Sequence, residues 1–186
     1  MKILKLSKLL SFLLFILVCS CTDDSAKIYA DWKTDNETYY TNMKDSIGYS
    51  LSIVPTVNGA SSFYYKITKP GIQNSDSPLA TDIVTVNYRG KLINGKIFSQ
   101  TFSGDIIGND TTTTVTFNMS PLLKGWILNL ITMKTGEVRK IVLPQELAYG
   151  TIQTDHTILP YSTTLWEIQL VRFSHIQANS VSKFKK

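Results

Sequence analysis

Ser120-Pro121-Leu122-Leu123-Lys124-Gly125-Trp126-Ile127-Leu128-Asn129-Leu130-Ile131 is the stretch on which the fold turns. Leu122, Leu123, Trp126, Ile127, Leu130 and Ile131 recur in pairs about four residues apart, the stripe of a helix with one apolar face. Ser120 can cap exposed amides, and Pro121 is tolerated at a first helical position. Thr135-Gly136 stops the pattern. A helix this apolar has to be laid against something, and its neighbours in the sequence are all strand-like.

Upstream, Val84, Val86 and Tyr88 alternate with Thr85 and Asn87, as a half-buried strand should. Asn94-Gly95 is a hairpin signal because both residues tolerate positive φ, and the chain returns through Ile97 and Phe98. Ser103 to Thr114 is polar, ends in four consecutive threonines and reads as a loop or flap; Val115 to Met119 reads as a strand. Downstream, Glu137 to Leu143 is another strand, and Thr163 to Phe173 alternates through Leu165, Glu167, Gln169 and Val171 as a terminal one. The expected class is α+β, an antiparallel β-sheet wrapped around one short α-helix.

An N-terminal helical segment precedes this domain. Ile28, Tyr29, Trp32, Tyr39, Tyr40 and Met43 fall at helical spacing, with Ser25 placed to cap the helix and Gly48 to end it. The aromatic stripe is expected to pack on the domain. Phe63 to Ile67 reads as a strand closed by Lys69-Pro70-Gly71, and polar Gln73 to Thr81 as the connection into the main domain.

The first residues read as an address. Lys2, Lys5 and Lys8 precede Leu9 to Val18, which is apolar except for Ser11 and about half of the ~20 residues a membrane-crossing helix needs. Leu17-Val18-Cys19-Ser20-Cys21 resembles a bacterial lipobox, although Cys19 departs from the usual small residue. The resemblance implies an acylated Cys21 and a permanent attachment to the cell envelope, on an outer membrane facing the periplasm or the surface. An ordinary cleaved signal peptide that leaves Cys21 as a thiol is the alternative. Asp23 and Asp24 resemble an export signal in lipoproteins, or equally begin a solvated tether. The expected division is a leader at 1–20, a tether with helix and strand at 21–80, the main domain at 81–174 and a basic tail at 175–186.

Charge and residue types then exclude function classes. The leader carries three lysines and no acid, so the formal charge of +5 falls to +2 without it, which offers no footprint for nucleic acid. The lysines at 183, 185 and 186 read as a solvated end. With Cys19 removed, no disulfide pair remains. His156 and His175 are the only histidines, the second in the expected tail, and no metal-ligand spacing or Gly-rich phosphate loop is present.

What the sequence offers instead is an aromatic cluster around the single helix. Val84 to Gly90 (VTVNYRG), Asn94 to Phe98 (NGKIF), Leu123 to Trp126 (LKGW), Met133 to Glu137 (MKTGE), Ala148 to Gly150 (AYG) and Ile158 to Ser162 (ILPYS) resemble, in order and spacing, the FKBP-type peptidyl-prolyl isomerases. The resemblance covers roughly residues 80 to 173. It implies catalytic positions at Tyr88, Phe98, Trp126 and Tyr149, with Trp126 as the pocket floor and the Tyr149 hydroxyl offered to a substrate carbonyl. It implies substrate contacts at Ser99, Val115, Leu122, Leu123, Ile158 and Trp166. Proline-containing peptides or unfolded envelope proteins are the implied partners, and no cofactor is implied.

These residue types suit the reaction. Resonance holds an X-Pro bond planar behind a barrier of ~18–20 kcal/mol, and twisting removes most of the amide's charge separation. Water favours the planar dipole, so a dry aromatic slot selectively favours the twisted state without any general base or nucleophile.

Ser99 stands where the family usually has aspartate, Val115 replaces a commoner aromatic, Trp166 stands where phenylalanine is preferred, and Thr151 to Thr157 lacks the usual glycines. These departures keep a second class open, a proline-peptide binding module or chaperone with little turnover. A third class, a purely structural surface lipoprotein, requires the pocket to be filled by Trp166 or by the 103–114 loop.

Overall fold

The computed structural model describes residues 23–56, 59–106, 114–152 and 157–176. Cys21, most of the threonine-rich run, His156 and the terminal lysines lie outside the described residues. Helix α1 (Asp23–Asn42) leads through a 3₁₀ turn (Met43–Asp45) into strands β1 (Ser50–Thr56), β2 (Gly59–Lys69), β3 (Ile83–Leu92), β4 (Ile97–Gln100) and β5 (Val115–Asn118). Helix α2 (Lys124–Leu130), β6 (Val138–Leu143), a 3₁₀ turn (Gln145–Leu147) and β7 (Thr164–Ser174) complete the order. The strands form one antiparallel sheet in the order β1-β2-β6-β7-β3-β4, with β5 also paired to β3.

Alternation along the central strands gathers the apolar side chains on one face, while Thr85, Asn87 and Gln169 are buried on the other. Val84 and Val86 of β3 and Ile168 and Leu170 of β7 are fully buried, and Ile141 and Leu143 of β6 extend the same face. Trp126 and Leu130 of α2 press onto them. Gly125 makes that approach possible, because a Cβ there would lie 2.5 Å from Leu143 Cδ2. Burial of so many aliphatic and aromatic side chains, at roughly 25 cal/mol per Å² of apolar surface, is the main source of stability among described residues that include no cysteine.

The helix begins later than the sequence predicts. Its first residue is Lys124, after a turn in which Leu122 N–H donates to Met119 O at 3.0 Å. Ser120 supplies no cap, because the N-cap position falls on Leu123, three residues later; its own N–H donates to Asn118 Oδ1 at 3.1 Å in the preceding turn. Past the helix, Arg139 donates to Glu137, to Thr132 Oγ1 at 2.8 Å and to Thr132 O at 2.9 Å, with its guanidinium over the Tyr65 ring. A buried charge is tolerated here because it is paired with Glu137 and its remaining donors reach Asn129 and Thr132.

Three further readings change. Ser25 lies within α1, which already includes Asp23 and Asp24, so it does not cap the helix. Strand β1 falls on a segment to which the sequence reading assigns no element; it carries Pro55 at the sheet edge, where a missing N–H is tolerated. His175 is held rather than loose: its Nδ1 lies 2.8 Å from Asp82 Oδ2, and Asp82 is buried. The predicted Asn94-Gly95 hairpin is present, with Gly95 N–H on Leu92 O at 2.9 Å.

Candidate functional site

Tyr88 sits in the middle of β3 on the face that carries Val84 and Val86, so the alternation that builds the core also aims its ring at α2. Its centroid lies 5.1 Å from that of Trp126, edge to face. Trp166, brought in by β7, meets the same indole at 5.0 Å and 85°. Phe117 of β5 closes a third side at 6.3 Å. Such perpendicular pairs add about 0.5–1.5 kcal/mol each beyond their burial and hold one another in orientation.

Between these rings lies a hollow of about 150 Å³, completed by Ser99, Leu122, Leu123 and Tyr149. It is smaller than the ~300–1,000 Å³ of sites that take drug-sized ligands and suits one small ring. Trp126 forms its base while being only 4% exposed, and the indole Nε1–H is buried without an acceptor among the described residues. Polar character at the hollow comes from Tyr149 and from the Tyr88 and Ser99 hydroxyls, which lie 3.1 Å apart. Among the described residues three larger hollows lie elsewhere: about 370 Å³ between α1 and the 144–147 turn and about 330 Å³ on the outer face of the sheet, both lined largely by polar and charged side chains, and about 190 Å³ beside Thr85, Thr116 and Arg172.

The expected residues fall into three groups. Tyr88, Trp126, Tyr149, Ser99, Leu122, Leu123 and Trp166 border the hollow. Phe98 stands behind it, edge-on to Trp166 at 5.0 Å and to Tyr149 at 6.0 Å, and supports both walls. Val115 and Ile158 lie elsewhere. Val115 opens β5 across from Val86 and is 38% exposed. Phe117, two residues on and on the same face, lies beside Trp126 and lines the hollow. Ile158 is buried in the segment ahead of β7. Phe117 carried a usable signal, an aromatic in phase with Val115 on a half-buried strand.

One geometric condition makes the Trp166 wall possible. Gly90 lies directly across from Trp166 in the β3–β7 register, and a Cβ there would stand 2.5 Å from the indole and 2.8 Å from Phe98. The indole Nε1–H donates to Thr164 Oγ1 at 2.9 Å, which fixes the ring's rotation. Titration is perturbed away from this hollow, on the α1 side of the molecule. Burial raises the Tyr39, Tyr40 and Tyr49 hydroxyls above the ordinary phenol value, with the hydrogen bond to Ser62 partly offsetting it at Tyr40.

The family model described as FKBP-type peptidyl-prolyl cis-trans isomerase matches residues 75–171. The peptidyl-prolyl cis-trans isomerase Mip of Coxiella burnetii is 32% identical over 112 residues, 60% of this chain and 45% of that protein. FkpA of Escherichia coli is 30% identical over 138 residues, 74% of this chain and 46% of that protein. The crystal structure of Escherichia coli FkpA superposes with a TM-score of 0.64 at 24% identity, over 91% of this chain and 71% of that one. A peptidyl-prolyl cis-trans isomerase from Pseudomonas syringae gives 0.61 at 25% identity, over 78% and 96%. The chain spans less than half the length of these curated relatives. With its family match covering more than half of its residues, the chain belongs to the FKBP-type peptidyl-prolyl cis-trans isomerase family.

Proposed function

We propose that this chain catalyses cis/trans isomerisation of X-Pro bonds, by taking the proline ring into the hollow beside Trp126. The single observation that carries this reading is the hollow itself, apolar on most of its wall and sized for one ring. A prolyl amide moved there leaves water, and its planar, charge-separated form loses more solvation than its twisted form. Tyr149 and the Tyr88–Ser99 pair supply polar groups to hold the flanking carbonyls. Each ~1.4 kcal/mol of preference for the twisted state speeds exchange tenfold.

The companion reading is a proline-peptide binder with slow turnover, favoured by Ser99. A hydroxyl there keeps polarity without a carboxylate's charge. Exchange rates of a short proline peptide, measured by NMR with the native chain and with Ser99→Asp, separate the two. The isomerase reading expects acceleration by the native chain and a several-fold larger one by the variant. Proline peptides that bind both proteins with no acceleration by either would leave only the binder.

The same proposal extends to location. The lipobox-like Leu17 to Cys21 supports removal of residues 1–20, acylation of Cys21 and attachment to the cell envelope, where unfolded envelope proteins are the clients. Residues 21–80 then form an arm, 81–174 the isomerase domain and 175–186 its tail. Strand β2 of the arm pairs with β6 of the domain, which supports an arm carried as part of the same rigid body. Intact mass and detergent partitioning of the mature protein test the acylation, and a mass equal to the unmodified chain from Cys21 overturns it.

A further inference from the structure

We infer that Asn36, on helix α1, is a positioning residue for the prolyl pocket; the inference rests on the isomerase reading of that pocket. The helix lies outside residues 75–171, so nothing in the family match assigns it a part in the site.

Asn36 is completely buried although it is an amide on a helix that is otherwise largely polar. Its Oδ1 accepts the Thr163 backbone N–H at 2.7 Å, and its backbone carbonyl accepts Thr163 Oγ1–H at 3.2 Å. Its Nδ2 is fixed in turn by Trp32 O at 2.7 Å. Trp32 reaches the adjacent residue, donating its Nε1–H to Ser162 Oγ at 3.2 Å, while that hydroxyl donates to Leu159 O at 2.6 Å. Two side chains one helical turn apart therefore grip one turn of chain, and three of the four bonds across or within it end on buried groups.

That turn stands between two walls of the pocket. On one side Tyr161 N–H donates to Gly150 O at 3.0 Å, and Gly150 follows Tyr149. On the other side Thr163 precedes Thr164, whose hydroxyl accepts the Trp166 indole N–H. Tyr161 itself adopts φ +64, a conformation a side chain of that size rarely holds unless its surroundings impose it. The bonds from α1 supply that imposition. Hydrophobic packing alone would dock the helix without specifying the turn; a buried amide satisfied on both sides specifies position.

The test compares Asn36→Ala with the native chain at a temperature where both are fully folded. We expect kcat/KM on a proline peptide to fall about tenfold, mostly in kcat, the scale of one buried hydrogen bond. In chains that also carry Trp32→Phe, which removes the Ser162 bond from both members of the comparison, the two remaining tryptophans both line the pocket, so the tryptophan band of the near-ultraviolet circular dichroism reports on their mutual orientation. Asn36→Ala should weaken that signal. Thr163→Val, which keeps the backbone bond and removes the hydroxyl, should give a smaller loss that Thr163→Ser restores, and it replaces Asn36→Ala if that chain does not fold. A lower melting temperature with kcat, KM and the tryptophan spectrum unchanged would overturn the inference. Should the native chain prove inactive, the isomerase reading fails separately, and the spectrum and peptide affinity still decide whether Asn36 sets the pocket.

Discussion

Gly90 on β3 and Trp166 on β7 face each other across the sheet so closely that the glycine's missing side chain is the space the indole fills. Gly90→Ala forces either the indole or Phe98 to move. We expect a loss of about 1–3 kcal/mol in stability by urea denaturation, as for other overpacked cores. Peptide affinity should fall with it, because Phe98 also supports Tyr149. Unchanged stability would mean that the sheet opens locally to admit the methyl group.

The Tyr88 and Ser99 hydroxyls, 3.1 Å apart, act as a pair. Tyr88→Phe and Ser99→Ala should each weaken binding of a proline peptide, and the double variant should lose less than the sum. A coupling of about 0.5–1.5 kcal/mol is expected in a double-mutant cycle. Strict additivity in calorimetric titrations would show that the two hydroxyls meet the ligand independently.

Trp166→Phe enlarges the hollow and removes the donor to Thr164 Oγ1, a buried hydroxyl. Stability should drop by about 1–3 kcal/mol from the smaller ring and the unpaired oxygen. The variant should gain affinity for a peptide carrying the six-membered homologue of proline relative to proline itself. An equal effect on both peptides would place the selectivity elsewhere in the wall.

Tyr40 donates to Ser62 O at 2.7 Å and has its phenol held above the ordinary value of 10.0 mainly by burial. A raised folded-state value means that the folded chain holds its proton more tightly than the unfolded one. Its contribution to stability is therefore present below pH ~10 and is lost as pH climbs through the folded-state value. Tyr40→Phe should cost about 1 kcal/mol at pH 7 by losing the hydrogen bond, and should flatten the alkaline decline seen by denaturation at pH 9 to 11. A decline equally steep in the variant would assign it to Tyr39 and Tyr49.

Much of this architecture was legible because it depends on local period. The alternation of Val84, Val86 and Tyr88, the turn at Asn94-Gly95 and the four-residue stripe around Trp126 each follow from what one strand, one hairpin or one helix must bury. The aromatic side chains around the hollow could be named from the same segments and from their resemblance to a family. Less was legible where a local signal fell out of place: Ser120 could cap a helix, yet the chain makes one more turn and the helix starts only at Lys124, with Leu123 at the cap position.

Sequence by itself determined the secondary elements of the sheet domain, the single apolar helix and the types of residue at the site, because each is set by neighbours a few positions away. Only the tertiary structure decided that Phe117 rather than Val115 stands beside Trp126, that His175 meets Asp82, and that Asn36 holds Thr163 across 127 positions of chain. The first follows from the register of β5 on β3, and the two polar pairings are chosen by which groups remain unsatisfied once the sheet has closed. Buried donors and acceptors must then find partners wherever the fold has brought them, whatever their separation along the chain.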